Sequence, residues 1–316
     1  MTQIGVVTGG AGFIGSNLVH ALLQAGHRVR VLDDLSTGRP VNLDDIAGDI
    51  ELIHGDIRDR DAVARAVTGA QLVFHEAAIP SVARSVADPI TSNEVNVTGT
   101  LNVLVAARDS NVERVVYASS AAVYGNADSL PLHESMPTRP ASPYGASKLA
   151  GERYLEAFTR TWGLPTIALR YLNVFGPRQN PGSDYAAAIP RFISCTLAGE
   201  VPTVFGDGEQ ARDFVFVDDI VRANLLASVA PEAAWGRAFN LGRGERRTVN
   251  ELLVAIRSLI PGDHPDPIHA PPRPGEIRDS WSDITVAREA LRYQPLTGFE
   301  DGLRLTIDHL ASERRA

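Results

Sequence analysis

Apolar residues follow two rhythms along this chain. Short dense runs stand at "IGVVT" from Ile4, "VRVLD" from Val29, "IELIHG" from Ile50, "LVFHEAA" from Leu72, "VVYASS" from Val115 and "TIALRY" from Thr166. Between most of them the apolar residues recur at three- and four-residue spacing, as from Phe13 to Leu23 and from Val95 to Ala107. The first rhythm predicts strands buried on both faces, the second amphipathic helices. Their alternation predicts an α/β protein, a parallel sheet covered by helices on both sides, with ligands beyond the carboxyl ends of its strands.

After Tyr171 the rhythm breaks. Pro, Gly and polar residues crowd "NVFGPRQNPGSDYAA" and later "PGDHPDPIHAPPRPGE", which predicts loops lining a second, smaller lobe. The stretch "RDFVFVDDIVRANLLASV" reads as one more strand–helix unit returning to the first lobe. The expected division is residues 1–172, with returning segments at about 210–245, as one domain. Residues 173–209 and 246–316 then form the other. There is no internal repeat and no low-complexity segment.

Composition narrows the class. Hydrophobic content of 44% and charge of 22% suit a globular protein, and 316 residues allow one large domain or two fused halves. A net charge of −8 argues against nucleic acid or an anionic membrane as partner, since both need a basic surface. The single Cys195 excludes an internal disulfide and multi-cysteine metal sites. Its setting, "PRFISCTLAG", reads as the apolar face of a helix and a buried, inert thiol. The eight histidines are scattered with no paired spacing, so no metal site is expected. Gly9 interrupts the first apolar run before it could serve as a signal peptide, and no run approaches the ~20 residues of a membrane span. A cytoplasmic location is the expectation.

"VVTGGAGFIGSNLV" sets Gly9, Gly10, Gly12 and Gly15 between a predicted strand and a predicted helix. Glycines there permit the tight turn and the close approach of backbone to a pyrophosphate, which then meets the helix N-terminus. Asp33 ends the second predicted strand, 18 residues after Gly15. A carboxylate at that place accepts ribose hydroxyls and repels a 2′-phosphate, which favours NAD. Arg39, close in sequence, leaves NADP open. The fold expected is a Rossmann, doubly wound parallel sheet with a smaller C-terminal α/β substrate lobe.

Of the 30 basic residues, Lys148 is the only lysine. It lies four residues after Tyr144 in "SPYGASKLAGERY", a stretch from Ser142 to Phe158 that fits a helix entered through Pro143. Residues i and i+4 share a helix face. An ammonium beside a phenol favours the phenolate and lowers a reference pKa of about 10. Working near neutral pH asks roughly 4 kcal/mol of the surroundings, for which a charged nicotinamide would also count. Arginine is a poor substitute, because its guanidinium is broad and planar while the ammonium is compact. Ser119 and Ser120 follow the predicted strand at Val115, at the sheet edge where a ligand belongs. A Ser–Tyr–Lys set beside nicotinamide can oxidise an alcohol, with Tyr144 as base.

These residues, with "TGGAGFIG", "GDIRD", "FHEAA", "NVTGT", "SSAAVYG", "LRYLNVFGPRQ", "GDGEQARDFVFVDD" and "PPRPGEIRDSWSD", resemble the extended short-chain dehydrogenase/reductase family, specifically the nucleotide-sugar epimerases. The resemblance implies an N-terminal lobe holding NAD and a C-terminal lobe holding a UDP-sugar. It also implies a homodimer through the helices around Asn93–Arg108 and Tyr144–Thr161. It makes Ser120, Tyr144 and Lys148 catalytic. Around the cofactor it places Gly9, Gly12, Phe13, Ile14, Gly15 and Asp33, then Asp56 and Ile57 beside the adenine. Ala77, Asn96, Ser119 and Tyr171 complete that site with Tyr144 and Lys148. For the substrate it implies Asn173, Arg212 and Arg273 at the diphosphate, Phe205 on uracil and Glu276 at the ribose. Ser81, Ala188 and Ser280 join Ser120 and Tyr144 in that pocket.

The implied reaction removes hydride from C4 of the sugar while Tyr144 takes the 4-hydroxyl proton. The 4-keto sugar turns over and hydride returns to its other face. Related dehydratases and decarboxylases carry Asp or Glu in the two positions after the hydroxyl residue. Here those are Ala121 and Ala122, which move no protons. A keto-sugar reductase would release its cofactor every turn, and a non-catalytic nucleotide-sugar sensor would have no need of a reactive phenol. Relatives restricted to glucose and galactose carry a bulky tyrosine at the position aligned with Ser280. A serine leaves room for a 2-N-acetyl group, whereas Trp281 in the same place would close it. The leading expectation is UDP-GlcNAc/UDP-GalNAc 4-epimerisation with activity on UDP-Glc/UDP-Gal. A uronic acid alternative would need a cation such as Arg178 or Arg191 near C6.

Overall fold

The computed structural model describes residues 2–182, 188–272 and 277–314. The first half alternates strand and helix: β1 (Ile4–Thr8), α1 (Phe13–Gln24), β2 (Arg28–Asp33), β3 (Ile50–His54), α2 (Arg60–Val67) and β4 (Leu72–His75). Then follow α3 (Val82–Ala87), α4 (Pro89–Asn93), a π-helical stretch (Glu94–Gly99), α5 (Thr100–Asp109), β5 (Arg114–Ser120), α6 (Pro143–Trp162) and β6 (Thr166–Tyr171). The second half contains β7 (Asn173–Phe175), α7 (Ala188–Ala198), β8 (Thr203–Phe205), β9 (Ala211–Arg212), β10 (Phe214–Phe216) and α8 (Val217–Ser228). It ends with β11 (Arg237–Leu241), β12 (Arg247–Thr248), α9 (Val249–Leu259), β13 (Ile268–Ala270), α10 (Thr285–Leu291) and α11 (Phe299–Glu313).

Seven strands form one parallel sheet in the order β3-β2-β1-β4-β5-β6-β11. Burial on both faces explains the apolar runs of β1, β4, β5 and β6, whereas β3, expected to be buried likewise, lies at the sheet edge with no fully buried residue. Val7, Val116, Ile167 and Leu169 point into the core under α1 and α8, while Val6, Val115, Tyr117 and Ala168 point into the core under α2, α5 and α6. Burying a side chain of this size contributes about 1.5–3 kcal/mol each. Strand order reverses between β1 and β4, the switch point at which such sheets open a crevice.

One expected element is placed differently. "RDFVFVDD" yields β10, which pairs with β7 outside the main sheet, although the following α8 does return to pack on α1. The seventh strand of the sheet is instead β11, beside β6, in "RAFNL". Periodicity marks a strand but carries no information about its partner, and in β11 Arg237 and Asn240 interrupt the apolar run that marked the other strands.

The second lobe consists of α7, α9 and α11 with two-stranded pairs β8–β13 and β9–β12. Cys195 lies on α7 but is only half-buried, because Phe192, Ile193 and Thr196 take the inner positions. Among the described residues no helix is long and apolar enough to cross a membrane.

Candidate active site

The glycine loop closes the switch-point crevice from below. Gly9 sits at φ +70°, and a Cβ there would lie 2.7 Å from the Ala77 backbone nitrogen. A Cβ at Gly15 would come within 2.1 Å of the Gly9 carbonyl. Both positions therefore require glycine. Helix α1 begins at Phe13 with Gly12 as its cap, no capping side chain and no acid in the first turn. The N–H groups of Phe13 and Ile14 are thus left for an anion, and the cradle fits the pyrophosphate of a dinucleotide.

Asp33, at the end of β2, is buried and accepts from the Ala11 nitrogen at 2.9 Å and the Leu35 nitrogen at 2.9 Å. Burial raises its pKa, and those two backbone donors oppose the rise. Arg39 pairs with Glu313 at 3.3 Å on the partly exposed surface. Asp56 is held by the Arg58 guanidinium, which lowers its pKa. Ile57 is buried and fills the space over Gly99.

Asn96 lies in the π-helical stretch and is buried. Its side chain accepts from the Ile79 nitrogen at 2.8 Å and donates to the Ile79 carbonyl at 3.2 Å and the Ser147 hydroxyl at 3.0 Å. It therefore clamps the loop after β4 to α6. Ser81 caps α3 by accepting from the Arg84 nitrogen, and Ser85 accepts from the backbone nitrogen of Tyr144 at 3.0 Å.

Helix α6 carries the tyrosine and the lysine. Ser142 caps it, Pro143 opens it, and Gly163 at φ +68° ends it. It lies close on β5 because Gly151 leaves no Cβ where the Tyr117 hydroxyl would be 2.3 Å away. Lys148 is buried, donates to the Ala118 carbonyl at 2.7 Å and sits 4.9 Å over the Tyr117 ring. Burial lowers its pKa to about 8, against the raising effect of the Glu76 charge. Tyr144 shares a hydrogen bond with Ser120, which lowers its pKa, yet the net shift is upward because burial dominates and Glu76 adds to it. The lowering expected from Lys148 is therefore not present in the chain alone. Desolvation of the phenolate is the largest effect on Tyr144.

Ser119 turns its hydroxyl inward, donating to Glu152 at 2.6 Å, and offers only main chain to the crevice. Glu152 in turn holds Arg170 in a buried two-point pair at 2.8 and 2.7 Å, and Arg170 donates to the Tyr124 hydroxyl at 2.7 Å. Sequence reading did not find this network. The only signal was charge inside an apolar strand, "TIALRY". Tyr171, paired in register with Ser120, donates to Glu76 at 2.8 Å. Glu76 was also passed over, as part of "FHEAA".

Across the crevice, a cavity of about 720 Å³ is lined by Phe205, Gly206, Gln210, His269, Pro272 and Arg278 among others. Its open apolar wall beside an arginine fits a planar base. Arg212 donates to the carbonyls of Ala211 at 2.9 Å and Arg278 at 2.6 Å. Asn173 is exposed in β7, and Ala188 opens α7. Ser280 bridges to Arg212, with its nitrogen on the Ala211 carbonyl at 3.0 Å. Arg273 and Glu276 lie outside the described residues. Arg178 donates to Asn17 on α1, and so stands by the glycine helix. Among the described residues no group of His, Cys, Asp and Glu could hold a metal ion.

A glycine loop after β1, a Ser120–Tyr144 hydrogen bond and a buried Lys148 thus sit on a Rossmann-like parallel sheet. Residues 6–242 match the model of the NAD dependent epimerase/dehydratase family. The UDP-glucose 4-epimerase of Mycolicibacterium smegmatis is 42% identical over 307 residues, 96% of this chain and 97% of that protein. The UDP-N-acetylglucosamine 4-epimerase of Methanobrevibacter ruminantium, solved with UDP-N-acetylmuramic acid, superposes with a TM-score of 0.94 at 39% identity, covering 99% of both chains. The UDP-glucose 4-epimerase of Thermotoga maritima, solved with UDP-glucose, gives 0.93 at 37% identity, covering 98% of this chain and 99% of that one. The chain belongs to the NAD dependent epimerase/dehydratase family. It is an epimerase enzyme that works with NAD.

Proposed function

We propose that the enzyme is a UDP-sugar 4-epimerase that interconverts UDP-N-acetylglucosamine and UDP-N-acetylgalactosamine, and acts also on UDP-glucose and UDP-galactose. The observation that carries the choice of sugar is the direction of two neighbouring side chains. Trp281 packs under Arg246, 5.9 Å from guanidinium to ring, whereas Ser282 turns to the buried Asp213. Side chains alternate along an extended segment, so Ser280 takes the face opposite Trp281. The small residue, not the indole, then borders the sugar beside Arg212. The likeness to a UDP-N-acetylglucosamine 4-epimerase supports the same reading.

In this reading Tyr144 takes the 4-hydroxyl proton and later returns it, while Ser120 shares the hydrogen bond that keeps proton and phenol aligned. Lys148 supplies the fixed positive charge. The glycine cradle would hold NAD, which would supply a reversible hydride acceptor for C4. Ala121 and Ala122 provide no acid for elimination, which favours epimerisation over dehydration. Phe205 packs on uracil, Asn173 and Arg212 meet the diphosphate with Arg273, and Glu276 takes the ribose. Residues 1–172 with about 210–245, apart from β9 and its Arg212, hold the cofactor, and the remainder with β9 binds the UDP-sugar. The helices α5 and α6 form a homodimer contact.

The test is NMR of UDP-GlcNAc, UDP-Glc and UDP-GlcA, each incubated with the purified enzyme and no added cofactor. Conversion of UDP-GlcNAc to its C4 epimer, fastest of the three, is expected. No conversion of any sugar by protein that carries NAD would overturn the reading.

A further inference from the structure

Glu76 is a carboxylate at the centre of the crevice that the reaction as described does not use. It follows β4 directly, and its backbone nitrogen donates to the Thr8 carbonyl at 3.1 Å beside the glycine loop. Extending the β4–β5 register by one residue, from His75 opposite Tyr117, sets Glu76 beside Ala118. The Ala118 carbonyl is the one that Lys148 holds. On the other side the Tyr171 hydroxyl donates to Glu76 at 2.8 Å, and Asn224 of α8 donates to that hydroxyl at 2.8 Å. Three elements thus fix one carboxylate close to the only lysine.

We propose that Glu76 is a positioning residue: its charge, held by Tyr171 and Asn224, sets the pH interval in which the Tyr144–Lys148 couple works. This rests on the roles given to Tyr144 and Lys148 above. The groups facing Glu76 are Tyr144 and Lys148 from α6 and Tyr171 from β6, while the neighbouring His75 of β4 turns to Thr8 and Thr100. His75 stays neutral, its pKa lowered to about 3 by burial and by Lys148. The Glu76 charge raises the pKa of both Tyr144 and Lys148. Its own pKa is raised to about 7, chiefly by burial, with Tyr171 and Lys148 opposing. A negative charge here keeps the lysine protonated and delays ionisation of the phenol. Removing it moves both ionisations to lower pH.

The test compares Glu76→Gln, which keeps shape and an acceptor for Tyr171, with Glu76→Asp, which keeps the charge. Two quantities are followed on the NAD-loaded protein: the pH profile of kcat, and the near-ultraviolet phenolate titration of Tyr144, taken as a difference from Tyr144→Phe. In the Gln variant both limbs of the profile and the phenolate titration are expected to fall by about one pH unit, as for charges several ångströms apart inside a protein. The Asp variant should stay near the wild type. If shape is what matters, Gln will resemble the wild type and Asp will not, and the proposal is wrong. Should Gln fail to fold, an unmoved phenolate titration in Tyr171→Phe, which removes the donor that holds the Glu76 charge, would also overturn it. The phenolate titration needs no turnover, so it reads Glu76 even if the sugar assignment fails.

Discussion

The Lys148 ammonium donates to the carbonyl oxygen of Ala118 at 2.7 Å. The single lysine of this chain therefore spends one proton on the strand that carries Ser119 and Ser120. Its charge and the hydroxyl cluster are held in one piece of geometry. A guanidinium is broad and planar and does not reproduce the single compact donor that Lys148 aims at that carbonyl. Lys148→Arg should lose at least about a hundredfold in kcat although charge is conserved. Activity near the wild-type level would show that charge alone suffices.

Tyr144→Phe removes the hydroxyl that meets Ser120 and leaves the ring in place. Turnover should fall by about 10²–10⁴, the usual worth of a positioned acid–base group. Affinity for the UDP-sugar, read by calorimetry, should change little. A variant that still turns over would remove Tyr144 as the base.

Glu152 and Arg170 are both buried, and Ser119 and Tyr124 complete their hydrogen bonds. Glu152→Ala strands a buried guanidinium, so urea unfolding should show a loss of about 3–5 kcal/mol. A loss below about 1 kcal/mol would mean that water or a neighbour replaces the carboxylate.

Gly15→Ala should yield protein without NAD or with much reduced stability, because its Cβ would overlap the Gly9 carbonyl. Gly48→Ala meets nothing within 4 Å. It should leave stability unchanged or raise it by up to about 1 kcal/mol. Thermal melts with and without added NAD separate the two.

Stability of the NAD-free protein should carry the signature of Glu76. Its folded pKa of about 7 exceeds the ordinary 4.5, so between those values the folded chain binds the extra proton. The stabilisation is complete below about 4.5 and is lost as pH rises through 7. The difference between wild type and Glu76→Gln should decline across that interval by at most about 3 kcal/mol. A flat difference would contradict the raised value.

The doubly wound sheet was legible because strands buried on both faces must be apolar throughout, as β1, β4, β5 and β6 are, while the edge strand β3 was read from its apolar residues although it is not buried. Tyr144, Lys148 and the glycine loop were legible because their chemistry demands fixed spacing. Glu76, Glu152 and Arg170 were not. Each is a charge within or at the end of an apolar element, and only tertiary contacts reveal whether such a charge is paired. The ionisation of Tyr144 failed for the same reason. A spacing of four gives proximity to a lysine but says nothing of how much water the phenol has lost.

The π-helical stretch from Glu94 to Gly99 has a consequence for how this chain can vary. One surplus residue in a helix rotates everything beyond it by about 100°. Both α4 and α5 pack on α6, but α4 is phased towards α3 and α5 towards α2, and Asn96 occupies the hinge of that offset. Substitutions along the segment are absorbed one side chain at a time. Deleting a single residue there would rephase the whole of α5 against α2 and α6, so this helix should accept changes of letter and reject changes of length.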